Sequence, residues 1–207
     1  DDHNTTGVNQ TYKLNLRKIL NQFELAATHS TGLRNPTLYE LYGTSSTGYK
    51  GSTDINPEKS KTNELYFEYN IFENFKLSST AYRTSIFDQI ELDSSWTANE
   101  NKFIDINQEG LENELSFNGK NQSFTIFNNF SKSTKTNGQT QNRRPDLTLG
   151  TNYSKKFITN LLGNFDLNLN YSHTGKYNDW TGSKNEFVKS TDLVDLTITK
   201  NLFGNIF

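Results

Sequence analysis

Apolar and polar residues alternate one by one along most of this chain, and only short segments break the rhythm. Tyr12, Leu14 and Leu16 interleave with Lys13, Asn15 and Arg17. The same beat runs through Phe23, Leu25 and Ala27, through Leu65, Phe67 and Tyr69, and from Leu111 to Phe117. It returns from Leu147 to Tyr153, from Phe165 to Tyr171 and from Val194 to Ile198. Neighbouring residues of an extended chain point to opposite faces, so the pattern predicts strands with one aliphatic and aromatic face and one face of amides, hydroxyls and charges. We place strands at 8–19, 22–34, 60–70, 75–92, 101–118, 122–135, 144–156, 164–177 and 187–201, with another beginning at Asn205. Short turns at 20–21, 71–74, 119–121 and 202–204 alternate with longer polar connections at 35–59, 93–100, 136–143 and 178–186. The turn at 157–163 reads as longer than the other short ones.

This is an all-β, antiparallel, up-and-down pattern. Composition sharpens it. Of the 207 residues only 32% are hydrophobic, below the roughly 45–50% of a soluble globular domain, yet 13% are aromatic, too many for a disordered chain. A transmembrane barrel with a wet interior accounts for both. A soluble β-sandwich also alternates apolar-in and polar-out, but the hairpins here are long and monotonous, with no switch between sheets. Tyr12, Phe23, Tyr69, Phe75, Phe117, Tyr153, Phe165 and Tyr171 fall near strand ends on the apolar face, where interfacial girdles belong. Bacterial single-chain barrels have even strand numbers, so nine strands read as part of a larger barrel. The last stretch, Asn205 to Phe207, is too short to span, and we expect truncation there rather than a natural terminal aromatic. A net charge of −2 points to no nucleic-acid partner, and no Cys with three His points to no disulfide, metal site or cofactor. The start reads as no signal segment, so we expect that one was removed or that the chain begins inside a longer protein, and no apolar run of helix-spanning length is present.

One stretch stands apart. Gly32-Leu33-Arg34-Asn35-Pro36-Thr37-Leu38-Tyr39-Glu40-Leu41-Tyr42-Gly43 is followed, after a polar spacer, by Asn56-Pro57-Glu58-Lys59-Ser60-Lys61-Thr62-Asn63-Glu64. It resembles the signature of TonB-dependent outer-membrane receptors, and most closely their vitamin B12 (cobalamin) branch. The likeness continues in order through Tyr82 to Ile90, Asn107 to Glu114, Arg143-Arg144-Pro145 and Asp192 to Leu196. It implies that residues 1–207 are one partial barrel domain, about strands 12–20 and the start of strand 21 of a 22-stranded barrel whose lumen holds a plug. It implies TonB-dependent uptake of cobalamin or a similar bulky nutrient, with a ferric siderophore as the alternative ligand. The partners so implied are the TonB–ExbB–ExbD complex, reached through the plug, and outer-membrane lipid with lipopolysaccharide. The location so implied is the outer membrane of a Gram-negative bacterium. No enzyme chemistry is expected. From another class, a passive porin or an adhesin barrel fits the same strand pattern.

Candidate residues follow from this frame. Pro36, Leu41, Tyr42, Pro57, Glu58, Lys59, Ser60 and Glu64 belong to the family motif and read as structural. Leu38, Leu41 and Tyr42 are expected to pack the loop onto the rim, and Glu58 and Lys59 to tether the start of the next strand. Tyr39 and Tyr49 are candidates for stacking on a planar ligand. Trp96 and Trp180 are ligand or interface candidates, with an anchoring role at the outer belt favoured. Arg143 and Arg144 are candidates for an anionic ligand, with a plug carboxylate or lipopolysaccharide phosphate favoured as their partner. Lys13, Arg17, Glu112 and Glu114 fall on the polar face and should meet the plug or water. Glu112 and Glu114, two apart on one strand, are not opposed as a glycosidase pair must be.

Overall fold

The computed structural model describes residues 2–3, 7–93, 95–102, 105–159, 163–180 and 184–200. Nine strands form one antiparallel sheet in strict sequence order, a meander with no crossover. They are β1 (Lys13–Leu20), β2 (Phe23–Arg34), β3 (Glu58–Phe72), β4 (Phe75–Phe87) and β5 (Ile106–Asn118). Then come β6 (Gln122–Lys135), β7 (Leu147–Thr159), β8 (Gly163–Thr174) and β9 (Thr191–Lys200). The turn β1–β2 uses Asn21 at φ +50°, a conformation Asn tolerates better than most residues. Short turns gather at one end of the sheet and long connections at the other.

Register keeps the two faces apart. Ala27, Leu65, Ala81, Leu111, Phe130 and Leu147 form one continuous cross-strand row on the apolar face. Near the short turns this face ends in packed rings. Phe23 stacks on Tyr69 at 4.4 Å, Phe75 meets Phe117 at 4.7 Å, and Phe157 stacks on Phe165 at 4.6 Å. Many residues between the rings remain exposed, among them Leu16, Leu65, Val194 and Ile198. A sheet with a bare apolar face and a polar opposite face has its core outside itself, in whatever covers that face.

A chain of uncharged polar side chains interrupts the apolar face midway across the sheet. Ser79, Asn113 and Asn128 stand side by side on β4, β5 and β6. Ser79 Oγ donates to Asn113 Oδ1 at 2.7 Å, and Asn113 Nδ2 donates to Asn128 Oδ1 at 3.0 Å. The polar groups satisfy one another, so each is less costly there than a lone amide.

Several strand limits differ from the sequence reading. The alternation at 75–92 is broken at Asp88, whose φ of +55° ends β4 and sets Ile90–Leu92 into a separate ribbon with Asn99–Asn101. Tyr177–Trp180 and Asn185–Val188 form a second such ribbon instead of extending β8 and β9. The turn expected at 157–163 is shorter, because 157–159 are still in β7 and β8 begins at Gly163. Residues 8–12 do not extend β1; Gly7–Val8 pairs with Asp2–His3 instead. The turn at 202–204, the strand expected from Asn205 and the terminal Phe207 lie outside the described residues.

Candidate functional site

The long connections build the rim. Residues 35–57, between β2 and β3, open with helix α1 (Leu38–Tyr42). Thr37 is its N-cap: Glu40 N donates to Thr37 Oγ1 at 3.2 Å, and Thr37 N donates to Glu40 Oε2 at 2.7 Å. This reciprocal box fixes a helix too short to stand by itself. Partial burial opposes the charge on Glu40, but the Thr37 bonds and Arg34 outweigh it and hold its carboxyl below the usual range. Arg34 also donates to Glu58 through Nε at 2.7 Å and Nη2 at 3.0 Å. Glu58 Oε1 in turn accepts from Ile90 N at 2.7 Å. One carboxylate thus joins β2, β3 and the following connection.

That following connection, 88–105, docks on the first. Lys50 N donates to Thr97 O at 2.8 Å, Asn99 Nδ2 to Tyr49 Oη at 2.7 Å, and Asn56 N to Asn101 Oδ1 at 2.6 Å. Leu41, Ile55 and Ile90 are buried together beneath these bonds. The result is a cap over β2–β5 with a small core of its own. Trp96, 64% exposed and at φ +63°, rides on its turn. Asp93 holds that turn, accepting from Thr97 N at 2.8 Å, Ser95 Oγ at 3.0 Å and Thr97 Oγ1 at 3.0 Å. The Thr97 N–H, ahead of the hydroxyl bonds, pulls the Asp93 pKa down to about 2.

A second cap joins the connections 136–146 and 175–190. Arg143, at φ +60°, donates through N to Asn178 O at 2.7 Å and through Nε to Asp179 Oδ1 at 2.7 Å. Asn142 Nδ2 donates to Asn185 Oδ1 at 3.0 Å. The Arg143 bond keeps the Asp179 carboxyl below its usual range.

Below the caps, the polar face of the sheet is rich in carboxylates. Glu64, Glu112 and Glu114 lie on it with Lys13, Arg17, Glu24 and Glu68. Arg17 Nη2 donates to Glu24 Oε2 at 2.6 Å, and Lys76 pairs with Glu68 at 3.4 Å. Glu112 meets only the Asn129 amide, at 3.4 Å, and no ion pair engages Glu64, Glu112 or Glu114 among the described residues. Tyr82 lies flat against Gly110 across the sheet, where an added Cβ would come within 2.6 Å of its ring and 2.7 Å of Phe130 O. No group of three or more His, Cys, Asp or Glu able to hold a metal occurs among the described residues.

A one-faced meander with short turns at one end and packed loops at the other is a wall of a large barrel. The model of the family described as TonB dependent receptor-like, beta-barrel, matches residues 1–206. The chain belongs to this family. Its members are transport receptors of the Gram-negative outer membrane rather than enzymes. Among solved structures, this receptor barrel resembles the siderophore receptor PirA from Acinetobacter baumannii, with a TM-score of 0.75 at 18% identity, over 95% of this chain and 35% of that one. It also resembles the ferric-catecholate import receptor Fiu from K12 E. coli, with a TM-score of 0.72 at 14% identity, over 94% of this chain and 29% of that one. The FrpB iron transporter from Neisseria meningitidis gives a TM-score of 0.68 at 14% identity, over 92% of this chain and 32% of that one. No curated protein matches the chain. At these identities the likeness establishes the fold, and the chain spans about a third of the length of these receptors.

Within the receptor barrel the sequence candidates separate into three places. Tyr39, Tyr49 and Trp96 belong to the first cap, Arg143, Arg144 and Trp180 to the second, and Lys13, Arg17, Glu64, Glu112 and Glu114 to the polar wall. Pro36, Leu41 and Pro57 are buried in or beside the first cap, and Ser60 faces Gly32 across β2 and β3. Five expectations need correcting. Tyr49 is only 7% exposed, covered by the stacked Tyr39 ring at 4.8 Å and bonded through its hydroxyl, so its face is not open to a ligand. Leu38 and Tyr42 do not pack onto the rim; they are 75% and 57% exposed, because Leu41 alone of the helix turns inward. Lys59 forms no ion pair among the described residues and is exposed on the apolar face, leaving Glu58 as the tether. Arg143 is committed to Asp179. Trp180 sits in a loop ribbon and Trp96 on the turn of another, rather than on barrel strands, which is not where a belt anchor sits. Sequence reasoning missed Arg34, Glu40 and Asp93 as organisers of the rim. The Thr37-x-x-Glu40 spacing was the available signal for one of them.

Proposed function

We propose that this chain is the transmembrane wall and part of the extracellular rim of an outer-membrane receptor that imports a scarce, bulky nutrient with energy from TonB. The observation that carries this reading is the nine-strand meander with a bare apolar face, a carboxylate and amide wall, and rigid caps at one end only. The apolar face meets lipid, the polar wall lines the lumen, and the caps face outward. In this reading residues 1–207 are a single partial barrel domain, and a plug supplied by the rest of the receptor fills the lumen. The ligand is captured at the caps and the plug. TonB, with ExbB and ExbD, then pulls on the plug, and the ligand moves along a wall already solvated by fixed polar groups. No bond is made or broken in the ligand.

For the ligand we favour a ferric siderophore. Structural neighbours named as siderophore and iron receptors support it, and the exposed Leu38, Tyr39, Tyr42 and Trp96 of the first cap suit a large, partly aromatic chelate. The cobalamin reading rests on sequence likeness alone. The test is uptake of labelled ferric siderophores and of cyanocobalamin by cells carrying the full-length receptor, with and without TonB. TonB-dependent uptake of a ferric siderophore supports the proposal. Cyanocobalamin uptake in its place reverses the ligand choice. Ion conductance without TonB, and no saturable uptake, would establish a passive channel instead.

A further inference from the structure

The apolar face of β1–β4 carries a feature that neither the caps nor the lumen wall uses. Ala27 on β2 and Ala81 on β4 flank Leu65 on β3 in one cross-strand row. Their short side chains leave two adjoining troughs, of about 570 and 530 Å³, which share Leu16, Ala27, Leu65 and Ala81. The second trough runs toward the caps and ends at His29, Asn63 and Arg83. Just beyond it lies a groove of about 380 Å³ lined by Tyr12, Thr31, Leu33, Lys59, Lys61 and Phe87, with Asp88 as its single carboxylate among the described residues. A trough of mainly apolar lining therefore leads into a groove that carries Lys59 and Lys61 against Asp88.

The cations are placed to act together. Asn63 pairs with Arg83 and Lys61 with Ser85, so Lys61 and Arg83 are diagonal neighbours, roughly 7–8 Å apart at the backbone and within reach of one anion. Lys59 follows two residues along the same face. All three are exposed, and none forms an ion pair among the described residues, although Glu109 stands across from Arg83. Arg17, Arg34 and Lys76 on the polar face are each engaged by a carboxylate. The Lys61 ammonium rests over the Phe87 ring at 5.6 Å. A ligand that matches this order has hydrocarbon joined to a negatively charged head.

We propose that this face holds a phosphorylated glycolipid of the outer leaflet, with acyl chains in the Ala27 and Ala81 troughs and a headgroup phosphate on Lys59, Lys61 and Arg83. The proposal rests on the membrane-barrel reading above. Each basic residue beside an anionic lipid surface contributes about fivefold in affinity, so removing three should weaken binding about a hundredfold. The experiment takes the full-length receptor and its K59Q/K61Q/R83Q variant in detergent. It titrates bisphosphorylated lipid A, its dephosphorylated form and inorganic phosphate by native mass spectrometry. The expected result is retention of the bisphosphorylated lipid by the parent, a loss of about a hundredfold in the variant, weak binding of the dephosphorylated form and none of inorganic phosphate. Equal binding by parent and variant, or indifference to the lipid phosphates, overturns the proposal. K13Q, altered on the polar face, should bind as the parent does, and a matching loss there also overturns it. Electrophoretic heat-modifiability of each protein reports the barrel separately. Failure of the parent to show it would count against the membrane reading, whereas loss of the lipid effect in a heat-modifiable parent counts against the lipid site alone.

Discussion

Two carboxylates organise the first cap, and they do so differently. Glu58 accepts twice from Arg34 and once from the Ile90 N–H, so E58A leaves a backbone donor and two guanidinium N–H groups without partners, with only Glu40 still on Arg34 Nη1. We expect the cap to lose about 2–3 kcal/mol against local opening, read as faster proteolysis within 35–57 while the barrel stays heat-modifiable. Asp93 is a titratable latch. Its folded pKa, about 2, lies below the ordinary aspartate value near 4, so its contribution is complete above pH 4 and fades as pH falls toward 2. Trp96 fluorescence anisotropy, measured in the full-length receptor with every other tryptophan replaced by Phe, should hold steady down to pH 4 and drop between pH 4 and 2. In D93A it should be low at every pH. A flat profile in the unaltered receptor would show that Asp93 does not hold the turn.

At the scale of elements, the apolar face offers a test of how polar groups survive there. The Ser79–Asn113–Asn128 chain is satisfied only as a set. N113L orphans the Ser79 hydroxyl and the Asn128 carbonyl and should destabilise the barrel by about 1–2 kcal/mol. S79A/N113L/N128L removes every member and should recover that loss or exceed it. Urea unfolding in detergent measures both, and a triple variant weaker than N113L would assign the chain a role beyond mutual satisfaction. Gly110 makes a second test. G110V forces Tyr82 off its place and crowds Phe130 O, and should cost about 1–3 kcal/mol by the same assay. The elements also show what alternation conveys. β6 at Gln122–Lys135 and the far end of β2 at Arg34 coincide with the sequence reading, because the apolar beat there stops at genuine turns. At 75–92 and 101–118 the beat runs on into a loop ribbon that is also extended, and only the backbone at Asp88 separates the two. The burial of Tyr49 was not legible either, since its partner Asn99 lies fifty residues away in another connection.

The whole molecule adds what no strand shows alone. β1 and β9 each keep one edge without a partner in the sheet as described, and the apolar face is bare. These nine strands expressed without the remainder of the receptor should give no heat-modifiable species and should aggregate when detergent is removed. A stable, monomeric, water-soluble product would contradict the membrane reading. Bulk composition was the clearest sequence signal at this scale, since a low apolar fraction with many aromatics fits a surface that borrows its core from lipid. The ligand left no comparable trace, because contact residues on the caps obey no period.

The rim is built as two closed units, each knitting the connections of neighbouring hairpins and fastened to the sheet by a few side chains such as Glu58. Such units can be exchanged by inheritance without rewriting the wall that carries them. Transplanting 35–57 together with 88–105 between related receptors should carry ligand preference along, whereas moving either segment by itself should yield a surface matching neither parent. Selection on diet can then act on a cassette while selection on membrane assembly acts on the strands.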